Sequence, residues 1–128
     1  MSQGGPAKPA VLRGFSAQEY FFEEGCFVSE WSNSPSDASL SIAHIRVPAG
    51  VTTQWHRLDG IAERYVILGG VGRVEVGVEP AVRVEVGDVV VIPSGERQRI
   101  HNAGPDDLVF LALCTPRFRP QAYVALSD

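Results

Sequence analysis

The stretch "TTQWHRLDGIAERYVILGG", residues 52–70, carries two polar side chains, His56 and Glu63, on either side of an Asp-Gly pair. Its alternation at period two reads as β-structure, because successive side chains of a strand point to opposite faces. Asp59-Gly60 is a turn signal, and a two-residue loop there predicts a hairpin in which His56 faces Glu63. Opposed residues have Cβ atoms about 4.5–5.5 Å apart, close enough for an imidazole and a carboxylate to share an ion. In that register one face carries Gln54, His56, Glu63 and Tyr65, with Leu58 and Ile61 beside the turn. The other carries Trp55, Arg57, Arg64, Val66 and Leu68. A lone His–Glu pair is more often a surface ion pair than a metal site, which wants three or four ligands.

The same period runs through the rest of the chain. Strands are expected at 26–31, 39–47, 52–57, 62–68, 72–78, 81–86, 88–93, 97–102 and 107–114. Between them stand Pro48-Ala49-Gly50, Gly69-Gly70, Gly87-Asp88, Pro93-Ser94-Gly95 and Gly104-Pro105. Short strands between such punctuators indicate an all-β sandwich or barrel. "RVEV" occurs at 73–76 and at 83–86 and reads as two arms of one hairpin, since nothing else recurs at that period. No stretch holds a helical period, although single turns fit "SAQEYFF" (16–22) and the last ten residues. Residues 1–10, with two prolines and two glycines, read as a mobile lead-in, and 11–128 as one domain with a C-terminal tail.

Bulk properties narrow the partners. A chain of 128 residues is one domain by length, and a net charge of −4 argues against nucleic-acid or anionic-membrane binding. Neither a membrane-length apolar run nor a secretory leader is evident. Cys26 and Cys114 lie far apart in sequence, so free thiols in a cytoplasmic protein are expected.

The spacings then resemble those of the cupin superfamily. Its first motif runs glycine, five residues, His-x-His, three or four residues, glutamate, six residues, glycine. Gly50, His56, Glu63 and Gly70 fall on it, with Leu58 at the second histidine position. The second motif runs glycine, five residues, proline, one residue, glycine, two residues, histidine, three residues, asparagine. Gly87, Pro93, Gly95 and Asn102 fall on it, with Gln98 at the histidine position. The resemblance implies a double-stranded β-helix, or jelly roll, of about nine to eleven short antiparallel strands, its motif residues pointing into the barrel.

It also implies a site. Three histidines and a glutamate usually hold the cupin metal, and here those positions are His56, Leu58, Glu63 and Gln98. Leucine cannot ligate, and glutamine offers only a neutral carbonyl oxygen. Gln54-Trp55-His56 is similar to the Gln-x-His pair of cupin-type phosphomannose isomerases, so Gln54 joins His56, Glu63 and Gln98 as a candidate ligand. Their glutamate spacing differs from the one here. A divalent ion (Zn, Ni, Fe or Mn) is one expectation. Without it, Glu63 orients His56 as a general base and Tyr65 donates to a developing oxyanion. His101 lies at opposite parity to Gln98, and His44 reads as an edge or surface residue.

Two function classes remain at this point. One is an enzyme of isomerase, cyclase or lyase type acting on a small carbonyl compound held in the barrel. The other is a non-catalytic small-molecule binding or sensing cupin with a degenerate metal site. Arg97 and Arg99 are expected to face outward and pair with acids such as Glu75 and Glu85. Apolar residues at both parities of 88–93 and 107–114, together with the habits of small cupins, predict a homodimer. Cys114 is expected to be a small buried residue.

Overall fold

A computed structural model describes residues 8–127. The expected lead-in falls largely outside this range. Among the described residues the chain forms strands β1 (Tyr20–Phe22), β2 (Cys26–Ser34), β3 (Asp37–Val47) and β4 (His56–Leu58). They are followed by β5 (Ala62–Gly69), β6 (Val71–Val76), β7 (Val82–Glu85) and β8 (Val89–Ile92). The last three are β9 (Gln98–Asn102), β10 (Leu108–Thr115) and β11 (Tyr123–Ala125). Single 3-10 turns at Gly14–Ser16 and Pro120–Ala122 lead into β1 and β11.

The strands make two antiparallel sheets, ordered β1-β2-β3-β10-β5-β8 and β11-β4-β9-β6-β7. This is the all-β double-stranded β-helix that the motifs implied. Each central strand alternates, as the period-two pattern requires. In β10, Leu108, Phe110, Ala112 and Cys114 are buried while their neighbours are half-buried. Leu108, Phe110 and Ala112 meet Ile45, Val47, Tyr65, Ile67, Ile92 and Ile100 in the main core. A smaller cluster of Leu58, Ile61, Cys114 and Ala122 lies at the other end.

The expected hairpin at 52–68 does not form. β4 pairs with β9 and β11, while β5 pairs with β10 and β8. The Asp59-Gly60 turn, with Gly60 at φ 76°, therefore carries the chain from one sheet to the other. Hydrogen bonds from Asp59 N to Ala122 O and from Gly95 N to Leu58 O hold it there. Strand alternation is local, so both His56 and Glu63 still point inward; the choice of partner strand is not local, so they arrive from opposite walls. The expected strand at 52–57 shrinks to β4, with Thr52 making only an isolated bridge to His101. The two "RVEV" copies do pair, Arg73 opposite Arg83 on β6 and β7. Strands β1 and β11 fall outside the expected set, β1 on the stretch whose sequence fits a helical turn.

The motif residues have clear duties. A Cβ on Gly70, at φ 81°, would sit 2.5 Å from the Asp107 carbonyl oxygen, so only glycine lets the link between β5 and β6 pass this close. Asn102, 0% exposed, donates to Val47 O and Asp106 O at 2.8 Å each and accepts from Gly104 N at 2.7 Å. No helix among the described residues is long and apolar enough to cross a membrane.

Candidate active site

Beyond the main core the interior opens into a cavity of about 80 Å³, several times what one water needs. Its walls include His56 and Leu58 from β4, Glu63 from β5, Cys114 from β10, Tyr123 from β11 and Glu24 from the β1–β2 turn.

The imidazole of His56 is fixed at one nitrogen. Its Nδ1 lies 2.7 Å from the Gln54 carbonyl oxygen, an acceptor only, so the neutral ring carries its proton on Nδ1. Nε2 is left with its lone pair and lies 3.8 Å from Glu24 Oε1. Tyr123 stacks on the ring at 5.1 Å, and Phe22 meets Tyr123 edge-on. A backbone bond from Gln54 N to Glu24 O ties the turn to the strand that bears the histidine.

Burial sets the charge states. It pushes the Glu24 carboxyl up to about 8, helped by the charge of Glu63 and opposed by hydrogen bonds from Cys26 and Tyr123. It raises Glu63 to about 7, against the amide of Gln98 and the thiol of Cys114. It holds His56 below the ordinary imidazole value, against the Gln54 carbonyl and Gln98. Near neutral pH the cavity thus holds an unprotonated imidazole beside a protonated Glu24 carboxyl. Glu63 Oε1 is buried with no hydrogen-bond partner.

The remaining expected site residues are distributed differently. Gln98 sits opposite His56 in register, but its Oε1 accepts from the Tyr65 hydroxyl. Both are buried behind the cavity wall, so the Tyr65 hydroxyl does not face a ligand as an oxyanion donor. Gln54 is exposed and its amide donates to Leu126 O at 2.9 Å. His44 stacks on Trp31, and His101 pairs with Thr52 Oγ1 at 2.7 Å, each away from the cavity. Arg97 and Arg99 do face away from the barrel: both lie over the Trp55 ring, and Arg99 pairs with Glu75 at 2.7 Å. Glu85 pairs with Arg83 instead. Cys114 is buried, as expected, and both cysteines are free thiols.

Sequence reasoning missed Glu24 and Tyr123. A signal for the first exists: Tyr20, Phe22, Glu24, Cys26 and Val28 share one parity, and all five line the cavity. Tyr123 carries no comparable mark.

A profile of the cupin domain matches residues 43–114. The chain belongs to the cupin family. A search among curated proteins returns no match. Among solved structures this cupin is similar to a predicted oxalate decarboxylase from Thermotoga maritima, at 24% identity and TM-score 0.75, covering 84% of this chain and 99% of that one. It is similar to Pac13, a nucleoside dehydratase, at 14% identity and TM-score 0.78, covering 93% and 92%; the same Streptomyces protein was also solved with uridine. A third is KdgF from Halomonas sp., at 19% identity and TM-score 0.73, covering 85% and 96%. At these identities the likeness is one of fold.

The metal implied by the cupin resemblance finds few donors. Leu58 offers no lone pair, the Gln98 carbonyl is committed to Tyr65, and Gln54 points elsewhere. No group of three or more His, Cys, Asp or Glu side chains among the described residues is placed to hold an ion. The residues present do not fit that metal.

Proposed function

We propose that this cupin is an acid–base enzyme of lyase or isomerase type, acting on a small carbonyl compound inside the barrel. His56 Nε2 takes a proton from the carbon next to the carbonyl. The Glu24 carboxyl gives one to the departing hydroxyl, which leaves as water, or to the neighbouring carbon in an isomerisation. The imidazolium then returns its proton to the Glu24 carboxylate across their 3.8 Å gap, which a small side-chain movement closes. The observation that carries this reading is the fixed tautomer of His56, with Nε2 facing a carboxyl raised to about 8. Base and acid with pKa values pushed apart by their surroundings are what such chemistry requires. The fold shared with a nucleoside dehydratase supports it.

The test is proton exchange. Panels of small aldehydes, ketones and β-hydroxy carbonyl compounds are incubated with the protein in D2O and followed by proton NMR. Wild type should wash the α-proton into solvent, and His56→Gln should slow this by about a hundredfold or more. Compounds that bind in the barrel yet never exchange would favour the binding-domain alternative.

A further inference from the structure

We propose that the barrel cavity takes a small organic cation, its ammonium group near Glu24 and Glu63 and its carbon skeleton against the rings of Phe22, Phe118 and Tyr123. The inference rests on the cavity being the ligand site, as proposed above, and not on the direction of proton transfer within it.

The walls are one-sided in charge. Among the described residues, Glu24, Glu30 and Glu63 line the cavity, and no arginine or lysine does. Arg117 meets the wall at Asn33, whose Oδ1 it contacts at 2.9 Å, and is itself outside the lining. The titratable groups facing the two buried acids supply no counter-charge. They are Cys26 beside Glu24, Cys114 beside Glu63, Tyr20, Tyr65 and Tyr123, and the neutral imidazole of His56. A carboxylate or phosphate ligand would enter this space with nothing to pair against, and its charge would oppose any ionisation of Glu63.

The second observation is at Glu63. The residue is 8% exposed and lines the cavity, and its Oε1 has no partner, although a buried carboxylate oxygen ordinarily finds one. A turn of the carboxylate toward the cavity brings Oε1 to an ammonium donor, which supplies that bond and stabilises the ionised form. The aromatic walls add the favourable face of their rings to a cation, a contribution no anion obtains. A neutral hydroxyl-bearing molecule could also satisfy Oε1, but it would gain nothing from ionisation of Glu63, which burial has raised to about 7.

Matched probes decide between these. The full chain at pH 7 is titrated by NMR with n-butylammonium, 1-butanol and butyrate, which share a carbon skeleton. The ammonium should bind about tenfold more tightly than the alcohol, with butyrate weakest. Glu63→Gln keeps side-chain shape and removes the carboxylate that pairs with the ammonium; it should cut ammonium affinity several-fold and leave the alcohol unchanged, while Glu24→Gln, at a carboxyl that is mostly neutral at pH 7, should cut it less. Equal affinity for alcohol and ammonium, tighter butyrate, no ammonium binding, or ammonium affinity unaltered in the double Gln variant each overturns the proposal. Cation selectivity without α-proton exchange would instead sink the acid–base reading and leave this one standing.

Discussion

Asn102 and Glu63 are both inward-facing polar residues on central strands, β9 and β5, and the protein treats them oppositely. At the closed end, every polar atom of the Asn102 side chain is bonded to backbone, so it pins the loop at 103–106 to the sheet. At the cavity end, Glu63 keeps one oxygen without a partner. A buried polar group that is fully satisfied stabilises one arrangement of the chain. One left unsatisfied destabilises the folded state slightly and keeps bonding capacity for something that enters. The contrast separates a residue that holds the barrel together from one that leaves bonding capacity in its interior, although both sit on the cupin motifs.

The largest expected effect would remake the cavity end. His56 and Leu58 are both buried on β4, Gln98 sits opposite His56, and Glu63 faces them from the other sheet. Leu58→His combined with Gln98→His should therefore bind Zn or Ni roughly a thousandfold more tightly than the parent, about 4 kcal/mol. Without metal the variant should be less stable, since Leu58 loses apolar packing and Tyr65 loses its acceptor. Titration calorimetry reads the affinity. Equal affinities would show that these positions do not converge.

Asn102→Ala attacks the closed end. It leaves Val47 O, Asp106 O and Gly104 N short of partners, and should cost about 3 kcal/mol or more in urea denaturation. A loss below about 1 kcal/mol would erase the distinction between the two ends.

Glu63→Gln should do the reverse. Glu63 and Glu24 titrate near 7 and 8 in the folded chain against an ordinary 4.5. Between about pH 5 and 8 the folded chain therefore holds protons that the unfolded chain has lost, and stability falls as pH rises. His56, lowered by burial, opposes this only below its ordinary 6.5. The net slope from pH 6.5 to 8 should be downward, up to about 1.4 kcal/mol per pH unit for each proton by which the two states differ. Glu63→Gln should flatten it and be more stable than the parent at pH 8 by roughly 1–3 kcal/mol. Denaturation midpoints at pH 6.5 and 8 that move in parallel for both proteins would count against it.

The smallest effect concerns the outside of the barrel. In β10 the second apolar parity is half-buried between neighbouring strands, which removes part of the motive for pairing, whereas Val89 and Val91 on β8 remain exposed. The expected homodimer should appear in sedimentation at micromolar concentration. A species of 13.8 kDa would refute it.

Much of this molecule could be read before its coordinates. Period-two alternation locates nine of the strands and groups His56, Glu63 and Tyr65 on one face, because the side a residue takes depends only on its own backbone; that this face and Gln98 point inward is what the motif resemblance implied. Motif glycines were legible for a similar reason: a turn at positive φ, as at Gly60 and Gly70, is a local demand. Which strand lies beside which was not local. A tight Asp-Gly turn serves a hairpin and a corner between sheets equally well, and the long pairing of β5 with β10 decides between them. Glu24 and Tyr123 join His56 only when the first and last short strands dock on opposite sheets. Sequence alone thus determined the barrel, its inward residues and the gaps in its histidine set. Tertiary structure decided that the carboxyl opposite the His56 imidazole is that of Glu24, since contact between residues 24 and 56 depends on how the sheets close over each other.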